Sequence, residues 1–357
     1  MIATILRNQV TGVGPTDLIA QNGIQVADTA YAVVSLNVVS GNTYTGGFWT
    51  SAGILLYLAA SGVQVTGNSL SGNQAGIYVF ETANVLVAGN DIHGGALGIV
   101  VDTSDGASVL QNTIDTPVVV PNEAEVIGIW AIDALSLTVS GNLVNFGGAV
   151  GAVATLRGIS LEDSSGSILG NTVRGVRMAS ADFSRLTGIG IVATGAGNLR
   201  IADNTVRNYQ WGGIFIGLPD SPYTGHVDIV NNDVRGVGPT RLIRQIGVLL
   251  VGPGVTGSVR GNFIADNCFT SGRSGNNRDD DDEHGNHDRD GKDRDEENDN
   301  HGDNRCRGNS DVSNGDRHTC PPGVAVGLLL CNVGRNALDI AGNRFSGNQV
   351  DFLRVQT

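Results

Sequence analysis

Short apolar runs recur along this chain, each leading to an asparagine with a further apolar residue just beyond it, as in VTGNSL around Asn68, VAGNDI around Asn90 and ILGNTV around Asn171. Within the runs, side chains alternate with period two, as in Ile77, Tyr78, Val79 and Phe80, which is the signature of a β-strand. The asparagines are Asn8, Asn37, Asn68, Asn90, Asn112, Asn142, Asn171, Asn204, Asn232, Asn262 and Asn343, with gaps of 29, 31, 22, 22, 30, 29, 33, 28, 30 and 81. A repeat of that length predicts a solenoid.

A second marker keeps step. A glycine and an aliphatic residue open a strand at Gly23, Gly53, Gly76, Gly98, Gly128, Gly158, Gly190, Gly213, Gly247 and Gly327, and each lies 13 to 19 residues before its asparagine. Strand, short turn, strand and asparagine are thus nearly constant. The return path to the next glycine varies, as loops do. Each repeat reads as a coil of three short strands, about 4.8 Å from the next. Ten to eleven such coils make a rod of about 50 Å. The asparagines are expected to take the left-handed backbone region at the bend and to pass amide hydrogen bonds from coil to coil.

The Gly-Ile strand and the Gly-Asn-x-Ile bend resemble the right-handed parallel β-helix repeat family, the pectate-lyase-like and NosD-like group of polysaccharide lyases, pectin hydrolases, tailspikes and periplasmic repeat proteins. The resemblance runs from Asn8 to about Phe352. It implies an all-β fold, a single-stranded right-handed parallel β-helix, and an exported or cell-surface setting. It implies little about activity, because one fold hosts many functions. A leucine-rich repeat also fits Val85-x-Val87-x-x-Asn90-x-Ile92. However, the inter-repeat segments show no helical period, and the abundance of Ile and Val favours strands.

The unbroken repeat makes residues 1–357 one domain with one insertion, a low-complexity loop at 269–320. Between Ser271 and Thr319 there are 15 acidic against 8 basic residues and almost no aliphatic ones, so this segment is expected to be disordered. It supplies -7 of the net charge of -13. That acidic balance argues against nucleic acid as a partner, and no apolar run is long enough to span a membrane. Asn286-x-Asp288-x-Asp290-Gly291 followed by Glu297 has the spacing of a calcium loop, making Asp288, Asp290 and Glu297 candidate ligands. The opening Asn, Asp293 at a normally aliphatic place and the lack of flanking helices favour a solvated, diffusely cation-attracting segment. No cofactor is expected beyond that calcium option. Cys268 and Cys320 bracket the insertion, and a bridge between them would imply an oxidising compartment; free thiols are the alternative.

The start, MIATILRNQV, shows no secretory signal. Both ends lack a capping helix, which points to missing flanking sequence or a homo-oligomer. The segment GVGPTDLIAQNGI from Gly12 recurs as GVGPTRLIRQIGV from Gly236, a duplicated structural unit or a paired binding loop.

Candidate chemistry lies on the outer face of the Gly-Ile strands, which is unusually apolar. Tyr78, Phe80, Trp130 and Phe215 are candidate substrate-binding rings for a polysaccharide. The competing occupants of that face are a neighbouring subunit, as in a trimeric tailspike, or the chain's own loops. A row of acids, Glu81, Asp102, Asp133, Glu162 and Asp163, ends the same strands. Asp102, Asp133, Glu162 and Asp163 are candidate catalytic carboxylates, since adjacent and alternate coils give separations of about 5 and 10 Å. Acids at turns also bond backbone amides, a structural role. Arg157, Arg174, Arg207 and Arg235 are expected in return paths, His93 and His226 in turns, and the pectin-hydrolase and lyase signatures do not carry over. The expectation is a carbohydrate or cell-surface polymer binding protein, with a polysaccharide hydrolase or lyase or a tailspike-type scaffold as rivals.

Overall fold

A computed structural model describes residues 2–47, 49–115, 125–147, 155–177, 187–240, 243–270 and 324–356. Its strands stack into three parallel sheets of one strand per coil, giving eleven coils. We call them the front sheet (Asn22–Ala27 to Val350–Val355), the back sheet (Ile2–Leu6 to Leu338–Ala341) and the side sheet (Gln9–Thr16 to Arg344–Ser346). The strand Ile189–Ala202 runs through front and back sheets without a break. The bulk of the insertion, with Asp288, Asp290 and Glu297, lies outside the described residues; Phe269, inside its expected boundary, still belongs to the strand Phe263–Phe269.

Register explains the alternation in the sequence. On the front sheet Ile54, Ile77, Ile99 and Ile129 stack in successive coils. Val65, Val87, Val109 and Val139 do so on the back sheet, and Leu70, Ile92, Ile114 and Val144 on the side sheet. All are buried in one continuous core. Each such side chain contributes about 1.5–3 kcal/mol through burial.

The strand-opening glycines are demanded by close approach. A Cβ on Gly128 would lie 2.4 Å from Val144 Cγ1 and 2.6 Å from the Gly158 carbonyl oxygen. The front strand passes too near the side-sheet aliphatic for any side chain there.

The asparagines behave differently from expectation in one respect. The left-handed residue at each bend is the one before the asparagine: Arg7, Leu36, Gly67, Gly89, Gln111, Gly141, Gly170, Asp203, Asn231, Gly261 and Gly342, with φ from 53° to 65°. The asparagine's contribution is its side chain. At each of ten steps its backbone N–H and Nδ2 both donate to Oδ1 of the next asparagine, at 2.9–3.0 Å. Nδ2 also donates to a back-sheet carbonyl of the preceding coil, as Asn112 does to Val87 at 3.0 Å. The buried amide is satisfied by a rule that repeats with the coil.

The duplicated segment has the same shape twice. Gly14 and Gly238 both take the left-handed region, and the pairing register slips at the same place in both copies. Gln21 Oε1 accepts from Val13 N at 2.9 Å, and Gln245 Oε1 from Val237 N at 3.1 Å. Cys268 and Cys331 are both disulfide-bonded, and no described cysteine is free. Cys306 and Cys320 lie outside the described residues.

Candidate functional site

Two rows of side chains project from the front sheet. One runs Gln25, Leu55, Tyr78, Val100, Trp130, Ser160, Val192, Phe215. The other runs Ala27, Tyr57, Phe80, Asp102, Ile132, Glu162, Thr194. Their surroundings divide the sheet in two.

From Val100 onward most of the first row is covered. Val100, Ser160, Val192, Phe215, Leu249 and Leu329 are buried, the last four of these apolar residues lying in a cluster with Trp211, Ile243 and Val324 from the return paths. Phe215 therefore does not offer the open ring expected of it: the indole of Trp211 packs edge-on against it at 5.0 Å. Trp130 keeps partial exposure, but its indole nitrogen is buried with no hydrogen-bond partner among the described residues.

Over the first three coils the face is open. A groove of about 530 Å³ is lined by Ala20, Asn22, Gln25, Trp49, Thr50, Leu55, Tyr57, Tyr78 and Phe80. Tyr57 and Phe80 stack with ring centroids 5.3 Å apart and planes 10° from parallel. Trp49 is 74% exposed, a large cost in unburied apolar surface. Trp49 and Thr50 come from a return path with no periodic pattern, so alternation along the strands does not point to them. Tryptophan in a glycine-rich loop was the signal available.

Tyr78 leans toward the next coil, where its hydroxyl donates to Asp102 Oδ2 at 3.0 Å. Burial, and then the Asp102 charge and hydrogen bond, push the Tyr78 hydroxyl well above the usual tyrosine range. Asp102 Oδ1 accepts from Thr103 Oγ1 at 2.9 Å, so both its oxygens are engaged.

The acids expected in one row fall in two. Asp102 and Glu162 share a register position with Ile132 between them, hence about 10 Å apart along the axis. Glu81, Asp133 and Asp163 sit one residue later, where the backbone turns left-handed. Glu162 pairs with Arg157 at 2.9 Å; that arginine lies inside the strand Thr155–Glu162 rather than in a return path. Asp163 Oδ1 accepts from Ala196 N of the next coil at 2.9 Å. Asp133 is exposed beside these groups. His93 and His226 are also in strands, each within ion-pair distance of an aspartate. Among the described residues no cluster of histidine, cysteine and carboxylate side chains could hold a metal ion, and no helix is long and apolar enough to cross a membrane.

Residues 1–173 match the family described as "Right handed beta helix region". The same coil continues in register to Val355, so the chain is a right-handed parallel β-helix protein. Among solved structures it is similar to a periplasmic alginate epimerase, AlgG, crystallised as a double mutant, at 12% identity and a TM-score of 0.29, covering 99% of this chain and 76% of that one. So distant a likeness says nothing about activity. No curated protein matches the chain.

Proposed function

We propose that this β-helix binds a carbohydrate or cell-surface polymer in the open groove of its first three coils. The observation that carries the reading is the aromatic floor made by Trp49 and the Tyr57–Phe80 stack, flanked by the amides of Asn22 and Gln25. Sugar rings present C–H faces that pack on aromatic rings and hydroxyls that need polar partners at the edge. From Val100 onward most of the first row is buried, which favours this end for a ligand. A glycan-array screen, run with an assay for new reducing ends or unsaturated products, tests the reading. Saturable binding without turnover supports it, and absence of any glycan binding contradicts it.

A second reading, a polysaccharide hydrolase or lyase, draws on the Tyr78–Asp102 pair at the end of the groove and on exposed Asp133. Turnover lost in Asp133→Asn or Asp102→Asn would establish it. The engagement of both Asp102 oxygens and the pairing of Glu162 with Arg157 favour binding over catalysis.

A further inference from the structure

The side sheet carries a feature unrelated to the groove. Arg174, Arg207 and Arg235 occupy one register position in three successive coils. They lie within strands, Thr172–Arg174, Thr205–Arg207 and Asp233–Thr240, and not in the return paths where the sequence suggested them. Val173, Val206 and Val234, one residue earlier, are fully buried, so the arginines point outward. The other eight coils place no lysine or arginine in this row.

Like charges facing each other across neighbouring strands oppose folding, and adjacent coils set these about 4.8 Å apart at the backbone. Asp233 offsets them most closely, taking Arg207 through Oδ2 and Arg235 through Oδ1, at 2.5 and 2.7 Å, and the charge of Asp266 also acts on Arg235. Among the described residues Arg174 has an amide partner alone, donating from Nε to Asn145 Oδ1 at 3.1 Å. Arg344 adds a fourth guanidinium; it and Arg235 both lie over the Phe263 ring, at 5.4 and 4.7 Å. The guanidinium groups are therefore held in place while, among the described residues, most of their N–H donors have no partner, a geometry suited to paired oxygens of a carboxylate or sulfate.

We propose that Arg174, Arg207 and Arg235 form a binding strip for an acidic polysaccharide running along the helix axis. A pyranose unit is of the same order of length as the coil spacing, so successive acid groups can meet successive arginines. The strip is one guanidinium wide on a chain of net charge -13, which disfavours the broad phosphate surface of a nucleic acid. This site is independent of the groove reading and stands or falls separately.

The test is calorimetric titration of the whole protein at low salt with an oligogalacturonate, a sulfated oligosaccharide, a neutral malto-oligosaccharide, duplex DNA and anionic phospholipid vesicles. The expected result is saturable binding of an acidic oligosaccharide, weakened by salt, and reduced about tenfold or more in each of Arg174→Gln and Arg207→Gln. Val13→Ala, at an exposed side chain of the first coil outside both the strip and the groove, leaves that binding unchanged. Circular dichroism and thermal melting confirm that the variants fold. Absence of acidic-glycan binding, retention of it in the Arg174→Gln/Arg207→Gln double variant, or equal or tighter binding of DNA or vesicles overturns the proposal.

Discussion

The hydroxyl of Tyr78 donates to the carboxylate of Asp102 across one coil, at 3.0 Å. The register of the front sheet places Val100 opposite Tyr78 and Asp102 opposite Phe80, so the bond runs diagonally. It turns the tyrosine ring along the helix axis and leaves the neighbouring Phe80 ring to stack on Tyr57. The candidate catalytic carboxylate Asp102 thus also holds a ring of the groove lining in place.

Removing that charge has a signed consequence. In Asp102→Asn the burial that raises the Tyr78 pKa remains, whereas the anion that also raises it is gone. The phenolate absorbance of Tyr78 in an alkaline titration is then expected at lower pH than in the wild type, yet still above an ordinary tyrosine. An unchanged titration would contradict the assignment.

The asparagine ladder predicts a large local cost. Asn112→Ala would leave Asn90 N and Nδ2 without their acceptor and remove the Nδ2 donation to the Val87 carbonyl. Each buried polar group so orphaned costs about 1–3 kcal/mol. Chemical denaturation is expected to show a loss of at least about 2 kcal/mol. Asn145→Ala, half-buried and outside the ladder, removes two side-chain hydrogen bonds at its rim and should cost less, about 1 kcal/mol.

The ladder also marks what was legible in the sequence. The coil count, the front-strand glycines and the asparagine positions follow from spacing, because burial and stacking impose one repeat on the whole chain. The division of labour at the bend does not. Gly-Asn reads equally well with either residue left-handed, and only coils such as Leu36-Asn37 and Gln111-Asn112 separate the roles. Trp49 and the burial of Phe215 were not legible either. Both depend on where return paths fold, and those segments carry no period from which register can be counted.

Tyr78, Tyr209 and Tyr223 all have hydroxyls raised chiefly by burial. A group raised in the folded state stabilises fully below its unfolded pKa, about 10 for tyrosine, and that stabilisation is lost as pH rises further. Denaturation midpoints are expected to hold up to about pH 10 and fall beyond it. Tyr223→Phe should flatten the fall without cost at neutral pH, because the Tyr223 hydroxyl is buried with no hydrogen-bond partner among the described residues. A Tyr223→Phe protein much less stable at neutral pH would refute this.

The disulfides at Cys268 and Cys331 predict that neither cysteine is alkylated when the protein is unfolded without reductant. Both should be alkylated after reduction, as peptide mass spectrometry would read directly. Reduction is expected to lower stability by about 2–5 kcal/mol.

The open groove is tested most directly by titrating oligosaccharides into wild-type, Trp49→Ala and Tyr57→Ala proteins by calorimetry. At least one glycan is predicted to bind the wild type saturably, with each substitution weakening it about tenfold or more while the melting temperature stays the same. Wild-type affinity retained in both variants, or no saturable heat with any glycan, would contradict the account.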